Sequence, residues 1–181
     1  MKFKKYLNEI KWMNKTMLGY KVYLNDVKQI SDIIKSFLDR KKIIYNQTMS
    51  PHITIAQIKG TYPKDKIVRE MQILPSNFIM KPKKLKLLWG KNVKKWFITI
   101  EYTRSNEYKQ AFKMVEDIFP DVVNFPGGMI PHVSLFSIED KDFDLYIWND
   151  IEQRNFSLPN IKLKEIQLFN NKFEVEFEKR I

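Results

Sequence analysis

The 181-residue sequence contains only two histidines, and both occur in the same local pattern. His52 lies in MSPHITI and His132 lies in MIPHVSL. In each stretch a proline precedes the histidine, and an aliphatic, a hydroxyl and a second aliphatic residue follow it. Because imidazole titrates near neutral pH, one histidine can accept a proton while the other donates one. The repeated pattern therefore indicates paired acid–base chemistry.

Each stretch also carries a hydroxyl group two residues after its histidine. Successive side chains of a β-strand point to opposite faces, so we expect Thr54 beside His52 and Ser134 beside His132. The aliphatic residues of both motifs then face a core. Hydroxyl groups can donate hydrogen bonds to phosphate oxygens. If the two polar faces meet across a cleft, these four residues predict metal-free cleavage of a phosphodiester.

Metal binding is the weaker alternative for the two histidines. The sequence has no cysteine, and neither motif contains an acidic residue. Zinc sites in proteins use three or four ligands drawn from cysteine, histidine, aspartate and glutamate, so two histidines alone make a poor site. A lone histidine at a strand start is usually structural, but two in one pattern favour a shared catalytic role. We therefore expect no metal and no cofactor. The lack of cysteine also fits a cytoplasmic protein.

The spacing of apolar residues predicts the elements that position these motifs. Strands are expected at 17–24, 52–58, 78–89, 95–102, 132–138, 161–169 and 172–179, with hairpin turns at GKN and NN. Helices are expected at 26–40, 63–73, 105–119 and 142–153, with Asp26 and Ser105 as N-caps, and a short amphipathic helix at the N-terminus.

This order of elements repeats around each histidine. A strand and a helix precede each motif strand, and a helix follows it, which is simplest to explain as two similar lobes. Antiparallel strands mixed with helices predict the α+β class. We expect residues 1–181 to form one domain of two intertwined, pseudo-symmetric lobes around a central cleft.

The charge of the chain favours an anionic partner. The formal net charge is +11, and such a field attracts nucleic acid, nucleotides or acidic lipid, although a solvated lysine-rich surface is an equal alternative. Lys91, Lys94 and Lys95 around the GKN turn could add attraction for phosphate, or simply form a charged turn. No apolar run has the length of a membrane span, so we expect no membrane partner. No obligate protein partner is inferred.

The doubled motif resembles that of a known superfamily. His-Ile-Thr-Ile and His-Val-Ser-Leu match the H-h-[S/T]-h motif (h, hydrophobic) of the 2H phosphoesterases. This resemblance implies a bilobal α+β fold whose cleft holds the histidines and hydroxyls. It also implies hydrolysis of 2′,3′-cyclic phosphates, 2′,5′-linked oligoadenylates or 3′,5′ linkages, usually without a metal.

A narrower resemblance concerns the substrate. The opening YLNEI…GYKVYL and the small size look like the bacteriophage anti-CBASS nucleases, which degrade cyclic di- and trinucleotide immune messengers in the host cytosol. That resemblance implies ligand contacts by Tyr20, Trp89 and Glu165, with Trp96 as the second choice of tryptophan. The structural alternatives are a strand aromatic for Tyr20, core packing for Trp89 and a solvated strand residue for Glu165.

For a 3′,5′ linkage, the expected mechanism begins when one histidine takes the proton of the ribose 2′-hydroxyl. The other histidine protonates the leaving 5′-oxygen, and the two motif hydroxyls stabilise charge on the phosphoryl oxygens. Two alternatives stay open. The first is a 2H phosphodiesterase acting on linear RNA ends, 2′,3′-cyclic phosphates or 2′,5′-oligoadenylate. The second is an inactive nucleotide- or RNA-binding protein.

Overall fold

The computed structural model describes residues 15–59, 62–91, 93–122, 130–170 and 174–180. Its strands are β1 (Lys15–Lys21), β2 (Asn46–Gln47), β3 (His52–Lys59), β4 (Phe78–Met80), β5 (Pro82–Gly90), β6 (Lys95–Tyr102), β7 (His132–Glu139), β8 (Ile161–Leu163), β9 (Glu165–Phe169) and β10 (Val175–Arg180). Its helices are α1 (Leu24–Arg40), α2 (Lys64–Glu70), α3 (Asn106–Ile118) and α4 (Leu145–Glu152), with 3₁₀ turns at Met71–Ile73 and Asp140–Asp142. The expected N-terminal helix lies outside the described residues.

The strands form two four-stranded sheets and one two-stranded sheet, and the pairs within each are antiparallel. The first sheet has the order β10-β9-β1-β3, and the second has the order β2-β7-β6-β5. β3 and β7, which carry the two motifs, contact each other where these sheets meet. The predicted α+β class is therefore confirmed.

The two four-stranded sheets draw their strands from separate parts of the chain. β9 and β10, at the end of the chain, complete the first sheet beside β1. The strands β5, β6 and β7 from the middle of the chain form most of the second sheet, together with the short β2. The polar faces of both sheets are thus assembled from distant segments.

A contiguous hydrophobic core joins the sheets and helices. The apolar stripe of α1 contributes Ile30 and Ile34, and that of α3 contributes Ala111 and Val115. Fully burying one such branched aliphatic side chain stabilises the fold by about 1.5–3 kcal/mol. Tyr108 of α3 donates a hydrogen bond to the backbone oxygen of Thr54 (2.8 Å), which ties this helix to the first motif strand.

Most predicted elements are present, with differences at their ends. The predicted N-cap at Ser105 is confirmed, because its hydroxyl accepts from the amide of Tyr108 (3.2 Å). The predicted cap at Asp26 is wrong: Tyr23 holds the N-cap position, and Asp26 lies in the first turn. Two predicted long strands are each interrupted after three residues, giving β4 and β5 and also β8 and β9. β8 pairs with β4.

The two predicted hairpins join strands that pair. β5 pairs with β6, and Lys94 donates a backbone hydrogen bond to Gly90 (2.8 Å). β9 pairs with β10. Asn92 of GKN and Asn171 of NN lie outside the described residues. None of the helices in the described ranges is both long and apolar enough to cross a membrane.

Candidate active site

The two motif strands begin in the same way. Each histidine is the first residue of its strand, directly after a proline that has no N–H to contribute to the ladder. The proline carbonyls take part instead: Pro51 accepts from the amide of Val22 (3.0 Å), and Pro131 accepts from that of Tyr102 (2.8 Å). Equivalent hydrogen bonds therefore hold the start of each motif strand.

A β-bulge follows the hydroxyl residue in both motifs. Thr54 pairs with Gly19 and Ser134 pairs with Thr99, and in both ladders the register then shifts by one residue. As a result, the two residues after each hydroxyl are both buried. The bulge ends the alternation directly after the histidine and the hydroxyl, which are left together on the polar face.

Each histidine is anchored through the same ring nitrogen. The Nδ1 atom of His52 lies 3.0 Å from the backbone oxygen of Ser50, and that of His132 lies 2.8 Å from the oxygen of Ile130. A carbonyl oxygen only accepts, so each Nδ1 carries the hydrogen. The Nε2 atom is then left to accept or donate a proton in the cleft. Both rings are half-buried.

The environment lowers the pKa of both histidines. For His52, burial is the main cause, the carbonyl of Ser50 opposes it, and the charge of His132 lowers the pKa further. For His132, burial is again the main cause, the Ile130 carbonyl opposes it, Lys86 lowers the pKa and Glu101 raises it. The charge of His132 therefore acts on His52 across the contact between β3 and β7.

The two motif hydroxyls lie on the same face as the histidines. Thr54 is 8% exposed, and its hydroxyl donates to the sulfur of Met17 (3.3 Å). A thioether is a weak acceptor, so a phosphate oxygen could replace it at little cost. Ser134 is half-buried. Among the described residues, no group of three or more His, Asp or Glu side chains is placed to hold a metal ion.

The residue opposite each histidine differs in charge. In β6, Glu101 lies opposite His132 and is almost fully buried. It forms ion pairs with Lys83 (2.9 Å) and Lys86 (3.1 Å) of β5. Burial alone would raise the pKa of Glu101, but the hydrogen bonds from the two lysines outweigh it and lower the pKa.

On the other lobe, the residue opposite His52 is Lys21 of β1. Its ammonium group forms ion pairs with Glu165 (3.1 Å) and Glu178 (2.6 Å) of the neighbouring strands. These partners raise the pKa of Lys21, mainly through the hydrogen bond with Glu178. A carboxylate flanked by lysines therefore lies next to one histidine, and a lysine flanked by carboxylates lies next to the other.

The position of Tyr20 does not fit the expected ligand contact. Tyr20 is opposite Ile53, on the apolar face of the first sheet, and is 0% exposed. Its hydroxyl donates to the backbone oxygen of Pro75, and its ring packs edge-on against Phe78. The side chain points away from the histidine face, so it is a core residue.

The structure also places Trp89 away from the histidines, although the residue is 40% exposed. Trp89 pairs with Trp96, which alternates along β6 with the buried Ile98 and therefore lies on the face opposite Glu101. The rings of Trp89 and Trp96 are 4.9 Å apart, and Trp96 also stacks on Phe143. At about 3.3 Å per residue, Trp96 is also on the order of 17 Å along β6 from the residue opposite His132. Neither tryptophan reaches the histidines.

Glu165 lies on the histidine side of its sheet but is covered. The side chain is 1% exposed and accepts a hydrogen bond from the hydroxyl of Tyr23, in addition to its ion pair with Lys21. Lys21 stands between it and His52 in strand order. In this arrangement Glu165 holds Lys21 in place, so direct contact with a ligand does not fit its position.

The turn lysines also lie away from the histidines. Lys95 pairs in register with Glu139 at the far end of β6 and forms an ion pair with it (2.8 Å). Lys91 and Lys94 belong to the same turn. The charged-turn alternative fits all three.

Sequence reasoning did not find the charged residues that do approach the histidines. Lys86 lies in register with Thr99, which pairs with Ser134, and Glu101 occupies the next polar position on β6. These residues are 30–50 positions from the motif in sequence. In the sequence, the one local sign of Lys86 and Glu101 is that each is a charged residue between apolar neighbours in a predicted strand.

Comparisons with known proteins identify the fold. No protein-family profile matches the sequence, and no curated protein matches it either. Among solved structures, Kluyveromyces marxianus Usb1 is similar with a TM-score of 0.65 and 11% identity, over 94% of this chain and 99% of that chain. The same protein with uridine monophosphate gives a TM-score of 0.61 and 9% identity, over 94% of this chain and 100% of that chain.

A second similar structure is E. coli LigT complexed with 3′-AMP, with a TM-score of 0.52 and 11% identity, over 87% of each chain. Identities this low are evidence about the fold alone. The chain therefore shares its overall fold with Usb1 and LigT, in agreement with the α+β architecture that the doubled motif implies.

Proposed function

We propose that this chain is a phosphodiesterase that cleaves phosphodiester bonds of RNA ends or nucleotides, with His52 and His132 as general base and general acid. The observation that carries the proposal is the matched pair of imidazoles. Each is anchored through Nδ1 to a backbone carbonyl, and they lie near enough for charge on one to lower the pKa of the other. The solved neighbours with uridine monophosphate and 3′-AMP agree with a nucleotide ligand.

The proposed reaction transfers two protons. The Nε2 atom of one histidine takes the proton of the ribose 2′-hydroxyl, and the 2′-oxygen attacks the adjacent phosphorus. As the bond from phosphorus to the 5′-oxygen breaks, Nε2 of the other histidine donates its proton to that oxygen. The products are a 2′,3′-cyclic phosphate and a free 5′-hydroxyl. Water can then open the cyclic phosphate, with the histidines exchanging roles.

Charge on the phosphoryl oxygens needs donors that are already in place. Thr54 and Ser134 supply hydroxyl hydrogens on the histidine face, and Lys86 supplies a positive charge near His132. Removing one well-placed donor to such an oxyanion typically lowers kcat on the order of 10²–10³-fold. The same groups bind the substrate phosphate, so they contribute to affinity as well as rate.

The substrate class rests on what the cleft contains. Cleavage of cyclic di- or trinucleotide immune messengers, with a role in phage counter-defence, would use the same chemistry. That hypothesis depended on ligand contacts by Tyr20 and Trp89, which lie on the apolar faces of their sheets. The cyclic substrate stays a prediction.

The decisive experiment offers the protein a panel of substrates in the presence of EDTA. The panel contains linear dinucleotides, 2′,3′-cyclic mononucleotides, 2′,5′-oligoadenylate, and cyclic di- and trinucleotides, and products are separated by chromatography. We expect metal-independent cleavage of at least one linear or 2′,3′-cyclic substrate. Turnover of cyclic oligonucleotides alone would favour the messenger hypothesis. Tight binding without turnover of any substrate would favour the inactive binding protein.

The histidines are tested by two substitutions at each position. His52→Ala and His132→Ala should each abolish cleavage. His52→Asn and His132→Asn keep an amide that can donate to the anchoring carbonyl but cannot titrate, so they should be equally inactive. Circular dichroism should show native secondary structure in all four. Full activity in any one of them would overturn the mechanism.

A further inference from the structure

An open pocket of about 410 Å³ lies beside His132. Pro131, directly before the histidine, and Glu101, opposite the histidine in register, both line it. Lys83 and Arg104 also line it, together with Tyr102, Thr103 and Ile130. The pocket therefore borders the start of the strand that carries His132, and the mechanism above leaves it unused.

The lining of this pocket is positively charged. Among the described residues of the lining, Glu101 is the only acidic group, and its carboxylate is held by ion pairs with Lys83 and Lys86. Two cationic side chains of the lining, Lys83 and Arg104, therefore stand against one carboxylate. The side chain of Lys83 is 59% exposed, so its ammonium group is accessible to a ligand. Such a surplus of positive charge favours an anion.

The chemistry and size of the pocket point to a phosphate that carries a sugar or base. Arginine presents paired donors that match phosphate oxygens. A volume of about 410 Å³ lies near the lower end of the range of about 300–1,000 Å³ for small-molecule sites. Pro131 and the half-exposed Ile130 add an apolar wall on which a sugar or base can lie.

We propose that this pocket binds a second phosphate of the substrate, on the nucleotide next to the scissile linkage, through Arg104 and Lys83. The inference rests on the proposed function and sharpens it. The preferred substrate is then an oligonucleotide with at least two phosphates, because a single nucleotide with one phosphate leaves the pocket empty.

The first test compares UpA, which has one phosphate, with pUpA and UpAp, which carry a second phosphate on either side. We expect one of the two phosphorylated substrates to be cleaved with a kcat/KM about tenfold or more above that of UpA. Arg104→Gln should remove most of this advantage and change UpA cleavage much less. Lys35→Gln, on the exposed face of α1, removes the same charge and should keep the advantage.

Equal kcat/KM for the three substrates in the unmodified protein would overturn the proposal. An equal loss on all three in Arg104→Gln would also overturn it, because it would place Arg104 at the scissile phosphate or in the fold. Thermal melting of each variant separates the latter case, since a folding defect lowers the melting temperature.

A binding measurement keeps the proposal testable if no substrate is cleaved, a result that would overturn the proposed function itself. Calorimetry should show tighter binding of adenosine 3′,5′-bisphosphate than of 3′-AMP or 5′-AMP. Arg104→Gln and Lys83→Gln should each reduce that difference. If the bisphosphate binds no more tightly than both monophosphates, the pocket takes no second phosphate.

Discussion

The ring of Phe169 packs against the ring of His52, with centroids 4.5 Å apart and planes tilted by 41°. Phe169 belongs to β9, two strands away from the histidine in the first sheet, and pairs in register with Met17. Its ring spans the intervening strand at Gly19, where a Cβ atom would lie 3.4 Å from Phe169 Cε2. A glycine in β1 therefore gives an aromatic side chain access to one of the two histidines.

Phe169→Leu should weaken the positioning of His52. The smaller side chain exposes the imidazole, and because burial lowers the pKa of His52, that pKa should rise toward its ordinary value. The limb of the pH–rate profile that His52 controls should move to higher pH, and kcat should fall more than KM changes. The loss of unfolding free energy should stay below the roughly 3–5 kcal/mol typical of Phe→Ala.

The control for this variant is Phe119→Leu. Phe119 is 1% exposed and packs on Tyr62, away from the histidine face. Its substitution should lower the unfolding free energy to a similar extent and leave the pH–rate profile in place. A profile that shifts equally in both variants would show that general loosening, and not contact with His52, sets the pKa.

Gly19→Ala should destabilise the protein, because the added methyl group meets backbone. The new Cβ would lie 2.9 Å from the backbone oxygen of Ile53, so β1 must move away from β3 next to Thr54. Overpacking of this kind costs about 1–3 kcal/mol. Urea unfolding should show that loss, and cleavage should slow as the hydroxyl and histidine shift.

Gly90→Ala is the matched control at a second glycine. The added Cβ would approach Phe97 Cε2 of β6 (2.6 Å) and Val93 Cγ2 of the hairpin turn (2.8 Å), which are side-chain atoms and can move aside more easily than backbone. The loss of unfolding free energy should therefore be smaller than for Gly19→Ala. A larger loss of unfolding free energy for Gly90→Ala than for Gly19→Ala would mean that close backbone packing between β1 and β3 does not determine the cost.

The sequence carried enough information to place Tyr20 and Trp89 correctly. Tyr20 alternates with Leu18 and Val22, both buried, and Trp89 alternates with the core residue Leu85. Period-two alternation puts both aromatic side chains on apolar faces. The ligand contacts were inferred from likeness to a family, and the local alternation proved the better guide. The same alternation also predicted that the histidine and the hydroxyl of each motif share one face of the strand.

The charged neighbours of the histidines could not be derived in the same way. Lys21 and Glu101 oppose the histidines only because of strand register, which is set by the bulges and by long-range pairing. The place of β9 beside β1 depends on a contact between the two ends of the chain. Composition and periodicity do not encode such pairings.

Glu101→Gln should move the pH–rate profile in the opposite direction to Phe169→Leu. The carboxylate raises the pKa of His132 and Lys86 lowers it, so removing the negative charge leaves the lysine unopposed and lowers the pKa further. The limb that His132 controls should shift to lower pH. The loss of two charged hydrogen bonds should reduce the unfolding free energy by about 1–3 kcal/mol.

Glu139→Gln provides the comparison. It removes the partner of Lys95 in an ion pair on the same sheet, whose side chains are 31% and 41% exposed. Exposed pairs of this kind contribute about 0–1 kcal/mol, and this one lies at the far end of β6 from the histidines. The pH–rate profile should therefore stay unchanged. A shift as large as that of Glu101→Gln would mean that overall charge, and not the carboxylate beside His132, sets the pKa.

The stability of the protein should fall as the pH drops below the ordinary histidine pKa of about 6.5. Burial lowers the pKa of His52 and His132 in the folded state, so the unfolded chain takes up protons at a higher pH than the folded one does. The stabilisation from the neutral rings is complete above that pH and is lost as the pH falls through the folded values. Melting temperatures measured from pH 7.5 to 5 should show this decline.

The double variant His52→Asn/His132→Asn isolates the histidine contribution. The sequence contains no other histidine, so nothing else of that type titrates in this range. Its melting temperature should change less between pH 7.5 and 5 than that of the unmodified protein, because asparagine does not ionise. If the two decline in parallel, carboxylates such as Glu101, whose pKa is also lowered in the fold, would account for the loss of stability.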